Sequence, residues 1–547
     1  MTHAVDTAVV RALRTARQRK RLVSLEWFEL AYKVYVIAFV GIVAIALISN
    51  WVGDQLLTES QVADLHLYAP PVVGAVLALI VALGLRAGAR GGPISVESAD
   101  VQYLLLAPVS RRAALARPAA QQLRRGGFIG LAAGAVGGQL LGRRLDDALI
   151  PWTTSGAVVG AVLGASFATV ALVAHVVRLR RWQATMLGAA LLAWQCCSIP
   201  ADWNVPGPLS TLGSLVLWPS RVHAVDLVLP VVALLLAGAG MYGLEHLSLD
   251  ALARRSALVS QLRFAVTMRD LRTVVLLRRQ LSNEQHRTRP WFRLPQRLGT
   301  AVIRRGVQSV ARFPVSRLVR MALLTAIAVV AQVAAFRGTT PAIVLSGLAA
   351  FVLGLECLEP FAQEVDQTDR CDALPHERGW LLVRHLVVPG MVAAVFGALG
   401  AAGAALAFGT SLAWELSFLL ALPVVWAGSA GAVLNVMAGL PSPTLPGSTS
   451  DLLPPEIAGS REVLRTLWPL LVAVSGSVPV IAAREAAEDN RGPLPPALQV
   501  IVAVALVVAG VVWWARKRDE IRMKGRALWA AGDAEFQARH GRPGGTR

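Results

Sequence analysis

Two short segments of this 547-residue chain carry acidic side chains, a proline and arginines in the same order. The first paired segment contains Glu97, Asp100, Pro108, Arg111, Arg112 and Arg117. The second paired segment contains Glu364, Asp369, Pro375, Arg378 and Arg384. Carboxylates and guanidinium groups make charge-assisted contacts with other proteins, and the arginines alternate with leucines at helical spacing. We therefore predict that both segments form charged, amphipathic helices that bind a partner.

Common catalytic and metal-binding motifs are absent from the sequence. It contains no Gly-Lys dipeptide, so it cannot form a phosphate-binding Walker loop. It also lacks a G-x-S-x-G nucleophile elbow and an H-E-x-x-H zinc helix. The four cysteines form no C-x-x-C pair, so neither a zinc site nor a disulfide framework is predicted. We expect no catalytic residue and no metal site in this chain.

The elements that position the paired segments are predicted to be membrane helices. Hydrophobic residues make up 55% of the chain, with a mean hydropathy of +0.55, which is too apolar for an ordinary soluble protein. A spanning helix needs about 20 mostly apolar residues. The sequence predicts an all-α polytopic membrane protein with twelve spans, at 34–51, 67–85, 126–142, 152–177, 184–199, 222–244, 318–336, 341–360, 385–409, 411–439, 463–484 and 496–515.

The distribution of charge predicts the orientation of the spans. If the N-terminus is cytoplasmic, nearly all lysines and arginines fall on inner segments, as the positive-inside rule requires. We therefore predict that both termini are cytoplasmic and that the protein is a multi-pass protein of the cell membrane. The net charge of +19 then reflects topology, and we do not expect binding to nucleic acid.

The predicted spans fall into two halves of six. The predicted organisation is an amphipathic N-terminal segment (1–33), a first half (34–244), a basic cytoplasmic linker (245–317), a second half (318–515) and a basic cytoplasmic tail (516–547). Each paired segment lies between the second and third span of its half. Aligning Pro108 with Pro375 also aligns Leu115 with Leu382. One such segment is equally typical of a helix that seats a loop on the membrane, whereas two at matched positions favour an internal duplication and docking surfaces.

This arrangement resembles the permease subunits of type-2 ABC exporters, with both halves fused in one chain. The wording "LLLAPVSRRAAL" at 104–115 is similar to the loop that such permeases carry, and "PGPLSTLGSLVLWPSR" at 206–221 is similar to their re-entrant turn before the sixth span. The counterpart of that turn at 485–496 is shorter. The resemblance implies that this chain forms the translocation path, whereas a separate ATPase subunit binds ATP and Mg²⁺ and docks on the paired segments.

Glycines recur at every fourth position in two successive predicted spans. They are Gly130, Gly134, Gly138 and Gly142 in one span and Gly156, Gly160 and Gly164 in the next. Four-residue spacing places small residues on one helix face, where two backbones can approach closely. The pattern predicts a tightly packed helical hairpin.

Two acids in "LECLEPF", Glu356 and Glu359, lie at the inner end of a predicted span. Either they form ion pairs with a basic inner segment or they gate the path. No charged residue lies in the middle of a predicted span, which argues against coupling to an ion gradient. The predicted spans are apolar throughout their middle, which favours contact with membrane lipids and a hydrophobic or lipid-like cargo.

Two other functions remain open. Asp54, Glu59 and Asp64 lie in the first predicted outer loop. They could bind a divalent ion beside a phosphate, as in a polytopic glycosyltransferase that uses a lipid-linked donor. The short loop and the lack of a large outer domain argue against this function. A membrane scaffold that transports nothing is the other alternative.

Overall fold

The computed structural model describes residues 56–92, 110–199, 205–267, 287–292, 301–366, 376–438 and 467–540, with a few isolated positions elsewhere. Several predicted features lie outside these residues. They are the span 34–51, almost all of the segment 1–33, and Asp54, Glu97, Asp100, Pro108, Asp369 and Pro375.

The described residues form helices joined by turns, and no strand occurs among them. Eight of the described helices are long and apolar enough to cross a membrane. Their outward faces carry large apolar side chains, such as Leu234 and Leu235, which are 73% and 68% exposed. A surface of this kind is typical of a protein that contacts lipid. The prediction of an all-helical protein embedded in a membrane is confirmed.

The chain divides into two compact units, and the described residues up to Phe264 belong to the first. Its helices are α1 (Glu59–Gly88), α2 (Arg111–Arg144), α3 (Leu149–Val176), α4 (Arg181–Cys197), α5 (Ser210–Ser214), α6 (Val228–Tyr242) and α7 (Leu249–Thr267). Short 3-10 turns extend α6 at both ends, so that Ala224–His246 forms one candidate span. Within this unit, α3 packs against α2, α1 and α6, and α1 also packs against α4 and α5.

The second unit takes residues 265–267, the last three of α7, and the described residues from Arg287 onward. Its helices are α8 (Ala301–Val310), α9 (Val315–Phe336), α10 (Ala342–Cys357), α11 (Glu359–Asp366), α12 (Arg378–Phe408), α13 (Ser411–Ala438), α14 (Leu467–Glu488, with a turn at 476–478) and α15 (Leu494–His540). Here α13 packs against α12, α10 and α15, and α9 packs against α10. The core contains Phe351 and Phe361, both buried.

Three predicted spans differ from an ordinary spanning helix. The predicted span 126–142 lies within α2, which is not among the eight because its glycines and arginines lower its hydropathy. The predicted span 184–199 corresponds to α4, whose 17 residues are at the lower limit for a span, and it is not among the eight. The predicted span 341–360 corresponds to α10 and α11, which are bent by 65° relative to each other; counted together they would be a ninth span among the described helices.

The arginines of both paired segments lie in the first two turns of long helices and not in short separate ones. α2 begins at Arg111 and continues for 34 residues, and α12 begins at Arg378 and continues for 31. Both contain a proline, Pro118 and Pro389, without a break in the helix. The alanines, leucines and arginines at the start of α2, and the leucines and arginines at the start of α12, are strong helix formers.

Candidate functional site

The first turns of α2 and α12 present the same pattern of buried and outward residues. Leu115 in α2 and Leu382 in α12, which the sequence alignment equates, are both buried, with 0% and 4% of their surface exposed. In the first unit, Leu115 belongs to an apolar cluster with Leu244 and Leu252. Each leucine therefore anchors its helix start in the core of its own unit.

The arginines at the start of α2 are accessible. Arg111, Arg112 and Arg117 are all exposed. The guanidinium of Arg112 lies 4.7 Å from the centre of the Tyr242 ring, a cation–π contact that orients the side chain without neutralising its charge. Three positive charges therefore project from one helix start.

The arginines at the start of α12 are engaged within the second unit. Arg378 lies 3.7 Å from the carboxylate of Asp519 on α15, and the backbone at Gly379 touches Arg516 of the same helix. Arg384 stacks on the Trp380 ring at 3.6 Å. The C-terminal end of the α15 candidate span therefore covers part of this helix start. The two paired segments are therefore similar in position but not in accessibility.

The side chain of Glu364 is buried within the second unit and is not displayed on a surface. Its side chain is 4% exposed and pairs with Arg305 on α8 at 2.6 Å. The prediction that this carboxylate is displayed for a partner does not fit its burial. A buried carboxylate needs a cation close by, and Arg305 supplies one.

Glu356 and Glu359 form a buried ion cluster with two arginines of α9. Arg320 donates to both carboxylate oxygens of Glu356, at 2.8 and 3.1 Å. Arg317 is 2% exposed, lies 3.5 Å from Glu356 and also pairs with Glu359. Two roles were considered for these acids, ion pairing and gating of the path. The structure places both acids in ion pairs.

Arg317 also holds the bend between α10 and α11. Its guanidinium donates to the main-chain oxygen of Glu356, in the last turn of α10, and lies 3.6 Å from the Phe313 ring centre. The last carbonyls of a helix have no partner within that helix, and an arginine both satisfies them and opposes the negative end of the helix dipole. A single side chain thus links α9, the end of α10 and the start of α11.

The glycines of α2 and α3 lie on the contact between the two helices. A Cβ added at Gly126 would lie 2.5 Å from the carbonyl oxygen of Gly164, and one at Gly134 would lie 2.8 Å from the Cα of Gly160. Gly130 faces Gly160 in the same way. The two backbones therefore touch along several turns, with no room for side chains.

The turn between α2 and α3 is held by Asp147. Its carboxylate accepts from the indole of Trp152 at 2.9 Å and from the amide of Ala148 at 2.7 Å. These two hydrogen bonds, the indole first, hold the pKa of Asp147 below its ordinary value. Trp152 is buried, so the carboxylate fixes the start of α3 against the end of α2.

Gln195 is a polar centre that the sequence reasoning missed. It is 0% exposed; its amide nitrogen donates to the oxygens of Pro71 and Ser210, at 3.2 and 2.9 Å, and its amide oxygen accepts from the amide of Leu209 at 2.9 Å. It thereby joins α1, α4 and the turn 206–221 that was predicted to be re-entrant. A lone glutamine inside an apolar helix was the available signal.

We expect Gln195→Leu to release that turn. The substitution leaves the Pro71 oxygen and the Leu209 amide without their buried partner, which costs about 1 to 3 kcal/mol for each group. The measurement is the free energy of unfolding in detergent together with the rate of proteolysis between residues 200 and 221. Gln195→Glu keeps an acceptor for Leu209 but places a carboxylate without a cation in the same buried site, so it should destabilise the protein at least as much. Equal stability of all three proteins would contradict this role.

The acids of the glycosyltransferase alternative do not form a metal site in the part that can be described. Glu59 lies in the first turn of α1, and Asp64 follows in the next turn. Among the described residues, no group of three histidine, cysteine or acidic side chains could hold a metal ion.

The chain matches a protein-family model over residues 64–442, a range that includes the starts of α2 and α12, the glycine hairpin and the ion cluster. The model is that of DUF6297, described as a family of unknown function. No curated protein and no solved structure shows a significant match. Because the family model covers more than half of its length, the chain belongs to the DUF6297 family.

Proposed function

We propose that this protein is the transmembrane subunit of an ATP-driven exporter of the type-2 ABC kind. In this proposal, two six-span halves are fused, both termini are cytoplasmic and a separate subunit binds ATP and Mg²⁺. The observation that carries the proposal is the pair of long helices that start at aligned arginines, Arg111 and Arg378, each anchored by an aligned buried leucine.

The packing within each unit supports the internal duplication. In the first unit, α3 contacts α2, α1 and α6; in the second, α13 contacts α12, α10 and α15. These two sets of helices occur in the same order along the chain.

The rigidity of the helix starts suggests how a motor subunit would act on them. A continuous helix transmits a push along its axis, and α2 runs without interruption from its exposed arginines into the glycine contact with α3. Movement of the α2 start would therefore carry α3 with it. In the second unit, the covered start of α12 would move together with α15.

The exposed arginines of α2 provide the test. We expect Arg111→Glu, Arg112→Glu and Arg117→Glu, combined in one protein, to abolish co-purification of an ATPase subunit encoded beside this chain. Reversal of three charges replaces attraction by repulsion at the contact, which costs several kcal/mol in binding. The measurement is pull-down from membranes, with ATPase activity of the eluate as a second readout.

Arg181→Glu is the matched control for this experiment. Arg181 is exposed and opens a different helix, α4, outside both paired segments. It should leave the ATPase bound. Retention of the ATPase by the triple variant would contradict the docking role. A bound ATPase whose rate of ATP hydrolysis is unchanged by every candidate cargo would favour the scaffold. Loss of a glycosyltransfer activity in Asp54→Asn with Asp64→Asn would favour the enzyme alternative.

A further inference from the structure

A cavity of about 380 Å³ lies in the second unit, where the C-terminal ends of α9 and α12 meet the N-terminal half of α13. Most of its wall is apolar and includes Val333, Leu416 and Leu420. Its volume falls within the range of sites that bind small molecules. All three helices are candidate spans, so the cavity lies in the part of the unit that lipid surrounds.

Three polar side chains that line the cavity are already engaged with other groups of the protein. Gln332 donates to the main-chain oxygen of Leu420 at 3.3 Å, and the Thr410 hydroxyl accepts from a main-chain amide of α13 at 3.2 Å. The guanidinium of Arg337 lies 5.1 Å from the centre of the Phe408 ring and makes a further contact within the protein. A buried water needs about two to four polar partners, so this wall holds water poorly.

The cavity is long and opens at one end. Ala401 and Phe408 both line it on α12, and Leu412 and Ala421 both line it on α13. At a rise of about 1.5 Å per residue, these pairs give a depth of roughly 10 to 13 Å. Phe408 and Leu412 are 40% and 45% exposed at the open end, whereas Ala401 and Ala421 are buried. With bonds of about 1.5 Å, an extended hydrocarbon chain advances roughly 1.25 Å per carbon, so about eight to ten carbons fill this depth.

We propose that this cavity holds one acyl chain of a membrane phospholipid, whose head group stays outside at the exposed turn between α12 and α13. An empty apolar cavity leaves its lining without van der Waals partners, and the cost grows with its volume. The bilayer supplies hydrocarbon beside the opening, where Leu406 projects outward with 71% of its surface exposed. The fit of the chain provides the recognition, and no head-group charge contributes. This binding goes beyond the exporter proposal, because it needs no ATPase partner.

Photolabelling in a defined bilayer tests the site. The full-length chain is reconstituted in nanodiscs of phosphatidylcholine that contain a trace of phosphatidylcholine with a diazirine on one acyl chain. We expect the label to be enriched on Ala401 and Leu416, which line the cavity, relative to Leu406, which faces outward. A phosphatidylglycerol probe with the same chains should label these residues equally. Labelling that follows exposure to lipid alone, or a preference for one head group, would overturn the proposal.

Variants that fill the cavity separate this site from the lipid around the protein. Ala404→Phe places a ring in the cavity wall on α12 and should reduce labelling of Leu416 about tenfold, because a ring and a chain cannot share the space. Leu406→Phe, on the outward face of the same helix, is the matched control and should leave that labelling unchanged. Ala413→Phe, which fills the cavity from α13, serves if Ala404→Phe does not fold. Undiminished labelling of Leu416 in a folded, filled variant would show that the chain binds elsewhere.

Discussion

Gly134→Leu is expected to separate α2 from α3 and to destabilise the first unit by about 3 kcal/mol or more. Overpacking of a well-packed interior usually costs about 1 to 3 kcal/mol because side chains give way. Here the neighbouring atoms are the backbone of α3, at Gly156 and Gly160, which cannot rotate away. The measurement is the free energy of unfolding in detergent, followed by tryptophan fluorescence because Trp152 lies at the end of this contact.

Gly137→Leu is the matched control on the same helix. A Cβ added at Gly137 meets nothing within 4 Å, so the leucine projects away from α3. Substitutions away from packed features usually change stability by less than about 0.5 kcal/mol. Replacement of glycine by leucine also raises helix propensity equally at both positions, so the difference between the two variants isolates the contact. Similar stability of both variants would show that the two helices do not depend on this packing.

Arg317→Met is expected to cost about 3 to 5 kcal/mol, because it leaves Glu356 and Glu359 with fewer cations in a buried site. The methionine keeps most of the apolar stem, so the loss arises from the charge and from the unsatisfied end of α10. The measurement is the midpoint of denaturant-induced unfolding in detergent. The double variant Arg317→Met with Glu359→Gln keeps one arginine, Arg320, and one acid, Glu356, whose charges cancel. We expect this variant to recover at least half of the lost stability.

An exposed ion pair supplies the comparison for this cluster. Arg491 and Asp489 form a pair that is more than half exposed on both sides, and Arg491→Met should change stability by less than about 1 kcal/mol. If Arg317→Met were equally mild, the cluster would contribute no more than a surface pair. If the double variant were worse than the single one, Glu359 would have a role beyond its pairing with Arg317.

The unequal accessibility of the two paired segments changes how a motor subunit would bind. The sequence treats Arg111 and Arg378 as equivalent, yet Arg378 pairs with Asp519 and lies beside α15. A partner at the second unit would therefore contact α12 and the extended α15 together. At the first unit, the exposed arginines of α2 would form the contact themselves.

Local patterns in the sequence determined the class of the protein and the helix faces of one contact. Hydropathy over a window of about 20 residues depends only on neighbours in the chain, so it predicts membrane helices without a tertiary structure. The four-residue spacing of Gly130 and Gly134 is likewise a property of one helix, and it predicts the face on which a second helix can pack. The acids Glu356 and Glu359 were also singled out at the end of an apolar helix, with ion pairing and gating as the two alternatives.

Only the tertiary structure decided which groups meet. The pairing of Arg378 with Asp519, the polar contacts of Gln195 and the cavity beside Arg337 join segments that lie far apart in the chain. Hydropathy and spacing carry no information about such distances, since burial of a polar group depends on what packs around it. The sequence by itself therefore determined a helical membrane protein with two arginine-rich helix starts, and packing decided which charges are buried in pairs and which remain exposed.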